Sequence, residues 1–267
     1  MGKEVSTDND DALKFLAERQ ERVNSYGANQ ELLDAAREFS EETIRHQYSY
    51  NFNWLGRPII QYPQDMVAVQ ELIWSVRPDL VIETGIAHGG SLILSASMLA
   101  LIELSDAIES GAAFDPSAPK RKVLGIDIDI RSHNRTAIEK HPMANWIEMI
   151  QGSSIDAVIA GKVKEIAKNY ARVLVMLDSN HTHDHVLAEL EFYASLTSVD
   201  SYCIVFDTIV EDLPDDMYPY RPWCPGNNPK TAVHKFLETH DEFELDKDID
   251  HKLLVTVAPD GFLKRIR

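Results

Sequence analysis

Short runs of apolar residues alternate along the chain with longer segments in which apolar residues recur at helical spacing. Five runs of this kind occupy residues 80–83, 123–127, 146–150, 173–178 and 202–207. Strands buried on both faces of a parallel sheet are almost entirely apolar, because helices cover both sides. Since the runs alternate with helical segments, we predict an α/β fold with a doubly wound, mostly parallel sheet. Residues 251–259 and 261–266 predict a C-terminal hairpin.

The first 64 residues follow a different pattern. Residues 9–49 are acidic and contain no proline, and their apolar residues recur at helical spacing in two groups, around Leu13 and around Leu33. This spacing predicts two amphipathic helices that separate near Gly27. Glycine and proline then interrupt the pattern in residues 48–65, which predicts an extended arm. We therefore divide the chain into N-terminal helices with an arm or lid, residues 1–64, and an α/β domain, residues 65–267.

Two shorter segments of the α/β domain are also assigned from their composition. A helix is predicted over residues 65–76, and Pro78 ends it. Residues 105–121 are small and polar and include proline, so they predict a surface loop.

Charge and cysteine content limit the partners. The formal net charge of the chain is −17, with only 26 Lys and Arg residues, which disfavours nucleic acid and anionic membranes. A small molecule or a neutral saccharide is the expected partner. Cys203 and Cys224 are too few for a disulfide framework, which favours the reducing cytoplasm. The start of the chain is charged, and the apolar stretch 91–104 is shorter than the roughly twenty residues that span a bilayer. We expect a soluble homo-oligomer, with the N-terminal helices as dimerisation elements.

The sequence VIETGIAHGGS, residues 81–91, joins the first predicted strand of the domain to a helix. Gly85 and Gly89 permit positive φ and a close approach of the backbone to a ligand, and Ser91 begins a helix whose positive end favours a carboxylate. The dinucleotide pattern GxGxxG is absent. Glu83 precedes the turn, where it would repel a pyrophosphate and attract a cation. S-adenosylmethionine, which carries a sulfonium, an ammonium and a carboxylate group, fits these features.

The second predicted strand ends in GIDID, which places an acid beside the glycine turn. Asp127 is the predicted acceptor of hydrogen bonds from the two ribose hydroxyls, and Asp129 is the alternative. An acid on each side of the turn favours S-adenosylmethionine over a dinucleotide.

Carboxylates also end the fourth and fifth strands. Asp178 and Asp207 are expected to meet at the carboxyl edge of the sheet, where hard oxygen ligands suit Mg²⁺. Asp178 is followed by His181, His183 and His185, so zinc or iron(II) in a histidine-rich site is an alternative. A neutral His181, three residues after Asp178, could take the proton of an acceptor hydroxyl while the metal polarises the same oxygen. Asp178 and His181 are therefore the predicted catalytic residues.

Five motifs together resemble those of one known family. They are VIETGIAHGGS, VLGIDIDIR, IQGSS, VLVMLDSNHTHDHVLAEL and NNPKTAV, and the similarity runs from about Tyr48 to the C-terminus. The chain resembles the cephalosporin hydroxylase family, whose members have the Rossmann-like fold of class I S-adenosylmethionine-dependent methyltransferases. Similar sequences are assigned to O-methylation of sugars. The resemblance implies Mg²⁺ at Asp178 and Asp207, and cofactor contacts at Glu83, Gly85, Ser91, Asp127, Ser153 and Ser154.

The resemblance also concerns the base and the remaining metal ligand. In the more distantly similar catechol O-methyltransferases a lysine acts as base three residues after the first metal aspartate, and His181 holds that place here. Several relatives have two adjacent acidic or amide ligands on the fifth strand. This chain has Asp207 followed by Thr208, so we expect either a metal with fewer carboxylate ligands or a further ligand from Thr208, Glu211 or Asp212.

Two stretches are predicted to shape the acceptor pocket. Asn53 and Trp54 could cover the cofactor or stack on a sugar ring. A loop rich in proline and glycine follows the fifth strand and is positioned to act as a lid. Its candidate substrate residues are Arg221, Trp223 and Asn228.

We predict a Mg²⁺-dependent O-methyltransferase that uses S-adenosylmethionine and acts on a hydroxyl of a sugar or glycosylated small molecule. One alternative is a cephalosporin-type hydroxylase of a natural-product pathway. Another is a catalytically silent subunit that keeps the fold and the cofactor pocket.

Overall fold

The structure is a computed structural model that describes residues 6–267, and the side chains from residue 10 onward. The charged start of the chain, residues 1–5, lies outside the described residues. The helices are α1 Ser6–Gly27, α2 Gln30–Arg45, α3 Pro63–Val76, α4 Gly90–Ser110, α5 Ser132–Glu139, α6 Ala157–Ala167, α7 His183–Tyr193, α8 Pro229–Leu237 and α9 Lys247–Leu253. The strands are β1 Phe52–Trp54, β2 Arg57–Ile59, β3 Leu80–Thr84, β4 Lys122–Asp127, β5 Ile147–Gln151, β6 Val173–Leu177, β7 Tyr202–Val205, β8 Phe243–Leu245 and β9 Phe262–Arg265.

Seven strands form one sheet in the order β5, β4, β3, β6, β7, β9, β8. The five strands from β5 to β7 are parallel, and β9 runs antiparallel between β7 and β8. The prediction of a doubly wound, mostly parallel sheet is confirmed. The direction of winding reverses between β3 and β6, which is where ligands bind in sheets of this kind.

The sheet separates two apolar cores, which explains the unbroken apolar runs. Along β3, Val81 packs into one core, whereas Leu80 and Ile82 face the other. Successive side chains of a strand point to opposite faces, so a strand covered on both sides needs apolar residues at every position. The first core includes α3 and α4, and the second includes α6, α7 and α8.

Helix α4 is long and apolar enough to cross a membrane by length and composition alone. Much of it, however, lies in the first core. Its fully buried side chains include Leu92, Ile93, Leu94, Leu99 and Ile102. Packing against the sheet and α3 accounts for its apolar character.

The N-terminal region has the two predicted helices, α1 and α2, and they separate near Gly27 as expected. Asn29 caps α2 by accepting a hydrogen bond from the N–H of Leu32. In the arm, β1 and β2 pair as a small antiparallel hairpin. The arm then continues into α3, which begins with Pro63.

Two predictions about element boundaries are wrong. Helix α4 continues to Ser110 and ends at Gly111, so only residues 111–121 of the predicted loop are outside the helix. The C-terminal hairpin pairs β9 with β8, not with residues 251–259. The backbone N–H of Val257 donates to the buried carboxylate of Asp65 at 3.0 Å, and Thr256 donates to the same side chain. These bonds hold the segment as a loop, whereas the preceding charged residues form α9.

Candidate active site

The turn after β3 contains glycine where the backbone requires it. Gly85 and Gly89 have φ values of +87° and +84°, a conformation that other residues seldom adopt. A Cβ atom on Gly85 would overlap the carbonyl oxygen of Asp178, at the end of β6. The close approach therefore joins the predicted cofactor turn to the predicted metal ligand.

Glu83 lies buried at the base of this turn, only 2% exposed. Its Oε1 accepts a hydrogen bond from the hydroxyl of Ser91, and its Oε2 has no partner among the described residues. Burial raises the pKa of Glu83 to about 8, although the hydrogen bond from Ser91 opposes the shift. A buried carboxylate oxygen without a partner fits a cationic ligand group, which would supply the missing interaction.

Asp127 holds the other side of the turn. Its Oδ2 accepts a hydrogen bond from the N–H of Ile86 at 2.7 Å, and its Oδ1 accepts one from the N–H of Asp129 at 2.9 Å. Oδ2 also accepts a longer hydrogen bond from the N–H of Ala87 at 3.4 Å, whereas Oδ1 has one partner among the described residues. Asp127 is partly exposed, and its Oδ1 can accept a second bond from a ligand. The side chain of Asp129 is exposed at the surface. The predicted ribose ligand thus lies at the turn.

Ser153 and Ser154 follow β5, next to the end of β4. Ser154 is buried, its hydroxyl lies 3.1 Å from Nε2 of His185, and its carbonyl accepts a hydrogen bond from Tyr193 at 2.5 Å. The same nitrogen of His185 lies 3.1 Å from the hydroxyl of Ser179, the residue after Asp178. His185 therefore links the predicted cofactor loop to the end of β6.

Glu189, on the same face of α7 as His185, was missed by the sequence analysis. It is fully buried, and its Oε1 accepts a hydrogen bond from Ser179 at 2.7 Å. The signal in the sequence was the spacing of four residues between His185 and Glu189, which puts both on one side of a helix. An ionisable residue such as Glu189 on the buried face of α7 indicates that polar partners lie beside it.

Asp178, His181 and Asp207 form the one group in the described part of the chain whose His, Cys, Asp or Glu donor atoms could hold a metal ion. Their donor atoms lie within 4.8 Å of one another, and His181 Nε2 is 3.3 Å from Asp207 Oδ2. Burial, together with the charges of Asp207 and Glu83, raises the pKa of Asp178 well above its usual value. So much negative charge around one point fits a divalent cation.

The backbone of Asp207 adopts a left-handed conformation, with φ of +55°. Aspartate tolerates this conformation better than most residues, and such strain is found at functional sites. The strand β7 has already ended at Val205, so Asp207 belongs to a turn that directs its carboxylate toward Asp178 and His181.

The three further ligand candidates are engaged elsewhere. Thr208 is buried, and its hydroxyl donates to the carbonyl of Pro259 at 2.7 Å. Glu211 accepts hydrogen bonds from the N–H of Gly226 and the amide of Asn228. Asp212 pairs with Lys230 at 2.6 Å. Glu211 and Asp212 are not among the donors of the cluster in the described structure, and its third member is His181, the residue predicted to act as the base.

The histidines that follow Asp178 separate in space. His183 lies against α8, with Nδ1 2.8 Å from the hydroxyl of Thr231, and His185 faces Ser154. His181 alone joins the two carboxylates. The alternative of a histidine-rich zinc or iron site is therefore not supported, because only one of the three histidines lies with the carboxylates. A helix begins at His183, so the three side chains leave the chain in different directions.

The loop after β7, which is predicted to contact the acceptor, places aromatic side chains beside the cluster. The ring of Trp223 packs edge-on against His181, with 4.6 Å between ring centroids, and the guanidinium of Arg221 lies 5.1 Å from the Trp223 ring. Tyr218, which the sequence analysis missed, lies in the same loop. Burial raises the pKa of Tyr218, and the charge of Asp207 adds to the effect. Arg45 of α2 pairs with Asp216 at 3.6 Å and so fastens this loop to the N-terminal region.

Two of the predicted substrate residues have structural partners. Asn228 is fully buried and caps α8, where its side chain accepts from the N–H of Thr231. The prediction that it contacts substrate is not supported by this position. Trp54 packs against the first core and donates its indole N–H to Ser97 at 3.0 Å, whereas Asn53 is exposed on the hairpin.

Residues after β1 form a wall of the cleft above the glycine turn. Arg57 donates to the carbonyl of His88 at 3.0 Å. A Cβ atom on Gly90 would overlap the carbonyl oxygen of Pro58. The cleft is lined by Pro58, Ile59, Ile60, Gln61, Gly85, Ile86, Ala87, His88, Gly90, Ser91 and Asp178.

A family model described as Rhamnosyl O-methyltransferase/CmcI matches residues 46–266. The chain belongs to this family. Curated relatives named Rhamnosyl O-methyltransferase include one from Mycobacterium bovis, which is 29% identical over 203 residues, 75% of this chain and 73% of that relative. Another, from Mycobacterium leprae, is 27% identical over 214 residues, 79% of this chain and 82% of that relative.

Solved structures of CmcI share the fold. One that contains Mg and SAM has a TM-score of 0.53 and 18% identity, and the match covers 82% of this chain and 78% of that one. An apo structure of CmcI has a TM-score of 0.52 and 17% identity, with 82% and 77% covered. The Rossmann-like class I methyltransferase fold is confirmed, and so is the predicted family, whose match begins two residues before the expected start at Tyr48.

Proposed function

We propose that this chain is an S-adenosylmethionine- and Mg²⁺-dependent O-methyltransferase that methylates a hydroxyl of a sugar or of a glycosylated small molecule. One observation carries the proposal. The glycine turn, with the unpartnered oxygen of Glu83, touches the backbone of Asp178, so a site for a cationic donor and a cluster of carboxylates and histidine share one cleft. The names of the curated relatives support a rhamnosyl group as the acceptor.

The donor would lie along the carboxyl ends of β3, β4 and β5. Glu83 pairs with a cationic group of the donor, and the start of α4 at Ser91 receives the carboxylate. Gly85 and Gly89 allow the turn to approach it closely. Asp127 accepts hydrogen bonds from the ribose. The strand β5 pairs with β4, so the loop after β5 lies next to Asp127 and the ribose. The hydroxyls of Ser153 and Ser154 in this loop bind the nucleoside part of the donor.

The acceptor would lie between the donor and the loop that carries Trp223. Asp178 and Asp207 offer the hard oxygen ligands that Mg²⁺ prefers, and when bound the ion supplies Lewis-acid polarisation of the acceptor hydroxyl. His181 accepts the proton of that hydroxyl at Nε2. The hydroxyl oxygen then bonds to the methyl carbon of the donor as the bond from carbon to sulfur breaks. Trp223 and Arg221 orient the sugar and exclude water.

A hydroxylase of the iron(II) type is not favoured by the residues present. Such enzymes hold iron with two histidines and one carboxylate. The cluster here has the opposite composition, with His181 between Asp178 and Asp207. Calorimetry with S-adenosylmethionine tests the two against each other, since the methyltransferase binds this donor and an iron(II) hydroxylase does not use it; a titration with NAD tests the separate possibility of a dinucleotide site.

The activity is tested with rhamnose-containing acceptors, both nucleotide-linked and in glycosides, by following S-adenosylhomocysteine. We expect turnover that a chelator abolishes and that added Mg²⁺ restores. Asp178→Ala should lose turnover and keep donor affinity, which would exclude a catalytically silent subunit. Turnover at the wild-type rate in Asp178→Ala would contradict the proposal.

We also infer a cytoplasmic location. Cys203 is buried, Cys224 is exposed, and both are free thiols. A reducing compartment preserves an exposed thiol such as that of Cys224. Fractionation of cells with an antibody against the chain tests the location, and recovery in an oxidising compartment would contradict it.

A further inference from the structure

Asp65 lies near the start of α3 and is completely buried. Its Oδ1 accepts a hydrogen bond from the hydroxyl of Thr256, and its Oδ2 accepts one from the N–H of Val257 at 3.0 Å. No basic side chain in the described part of the chain offsets its charge, and burial raises the pKa of Asp65 to about 7. In return for this cost, the acid fixes the position of residues 256–259, which we call the anchor segment.

The anchor segment in turn holds the backbone after β7. The hydroxyl of Thr208 donates to the carbonyl of Pro259 at 2.7 Å, and the N–H of Ile209 donates to the carbonyl of Val257 at 3.2 Å. These two donors belong to the two residues that directly follow Asp207. The turn that carries the metal-ligand candidate is therefore tied to the segment that the buried acid holds.

Asp207 depends on such ties because no strand pairing fixes it. The strand β7 ends at Val205, and the backbone of Asp207 is left-handed, with φ of +55°. A residue other than glycine persists in this conformation only where the surrounding structure imposes it. If the turn relaxed, the carboxylate of Asp207 would move away from Asp178 and His181, with which it forms the cluster.

Asp65 also lies close enough to the cluster for its charge to be felt there. Burial is the main cause of the raised pKa of Asp178, the charges of neighbouring acids add to it, and Asp65 is one of these acids. A negative charge on Asp65 therefore adds to the attraction of the cluster for a divalent cation.

We propose that Asp65 is a positioning residue for the metal site, which fixes the anchor segment so that this segment holds Asp207 where its carboxylate can share an ion with Asp178. The inference deepens the proposed function and rests on it, because it takes Asp178 and Asp207 as the ligands of Mg²⁺. Residues that orient metal ligands from outside the coordination shell are typically worth about 10–100-fold in metal affinity. Loss of the bonds from Asp65 should therefore weaken metal binding before any acceptor is present.

Binding of Mn²⁺ to the full chain, followed by electron paramagnetic resonance of the free ion, tests the proposal without turnover. Mn²⁺ accepts the same oxygen ligands as Mg²⁺. Asp65→Asn keeps the size of the side chain, but its NH₂ group cannot accept a hydrogen bond, so one bond to the anchor segment is lost. We expect the dissociation constant for Mn²⁺ to rise about tenfold or more. Affinity for S-adenosylmethionine, measured by calorimetry without metal, should stay unchanged.

Tyr202→Phe is the matched control for a loss of stability alone. It removes a hydrogen bond of 2.7 Å to Asp246 at the other end of β7. This variant should unfold at a lower temperature than the wild type and bind Mn²⁺ equally well.

Two substitutions of Thr256 separate position from charge, since both leave the carboxylate of Asp65 in place. Thr256→Val removes the hydroxyl that donates to Asp65, and it should weaken Mn²⁺ binding. Thr256→Ser keeps the hydroxyl and should bind Mn²⁺ as the wild type does. This pair also decides the question if Asp65→Asn does not fold.

The possible failures are distinguishable. Unchanged Mn²⁺ affinity in Asp65→Asn, equal weakening in Tyr202→Phe, or equal binding by the two Thr256 variants would overturn the role of Asp65 and leave the proposed methyltransferase standing. A wild-type chain that binds no Mn²⁺ would refute the metal site, and the role of Asp65 with it. Asp178→Ala should abolish the binding that Asp65→Asn weakens, which identifies the site that is measured.

Discussion

Binding of the donor should release a proton from Glu83. In the free protein, burial raises the pKa of this carboxyl to about 8, so at neutral pH it is mostly protonated. A cation placed against its unpartnered oxygen favours the ionised form and lowers the pKa. At pH 7 about 0.9 of a proton should leave for each donor bound, if the pKa in the complex falls well below 7.

The coupling between donor binding and ionisation of Glu83 also makes the affinity for the donor depend on pH. Glu83 must ionise to pair with the donor, and below its pKa the cost is about 1.4 kcal/mol per pH unit. Donor affinity should therefore rise up to about tenfold per unit as the pH increases through the range from about 5.5 to 7.5. The hydrogen bond from Ser91 lowers the pKa of Glu83, so Ser91→Ala should extend the dependence to higher pH.

Isothermal titration calorimetry in buffers of different ionisation enthalpy measures the released protons directly. Glu83→Gln cannot ionise, so it should bind the donor without proton release at this position and with a flatter pH profile. Heats that do not depend on the buffer in the wild type, or equal proton release in Glu83→Gln, would refute the reasoning. Circular dichroism confirms that the variant is folded.

The geometry of the site gives three further predictions. Gly85→Ala should lower the free energy of unfolding by about 2–4 kcal/mol in chemical denaturation. The added Cβ overlaps the carbonyl of Asp178, and the backbone φ at this position is positive. A loss below about 0.5 kcal/mol would contradict this prediction. His185→Ala should raise KM for the donor more than His183→Ala does, since only His185 contacts Ser154. Equal effects of the two variants would contradict the placement of Ser154 in the donor site. Trp223→Ala should raise KM for the acceptor and leave donor affinity in calorimetry unchanged.

The sheet could be predicted because each central strand is apolar on both faces. Leu80, Val81 and Ile82 face different cores, and no polar residue interrupts the run. The C-terminal strand pair was assigned wrongly because residues 251–259 are equally apolar. Their loop conformation depends on the buried carboxylate of Asp65, almost 200 residues earlier in the chain, and local pattern carries no trace of that contact.

The strand-end acids could be predicted for a similar reason. Parallel strands bring their carboxyl ends to one edge, so Asp178 and Asp207 had to be neighbours. Asn228 was assigned to substrate because a polar residue in a loop rich in proline and glycine suits a ligand as well as a helix cap. The capping box with Thr231 distinguishes the two only once α8 is seen. Tyr218 gave no signal, because its position depends on the path of the loop.

The contact between Gly90 and Pro58 has a consequence for how this protein can be shortened. One rim of the cleft belongs to the glycine turn, and the facing rim comes from residues 58–61 of the arm. A fragment beginning at residue 65 would keep every strand of the large sheet. It would lack residues 58–61, so one wall of the cleft would be missing and the glycine turn would be open to solvent. A fragment for ligand studies should therefore start near residue 46, so that it includes the arm.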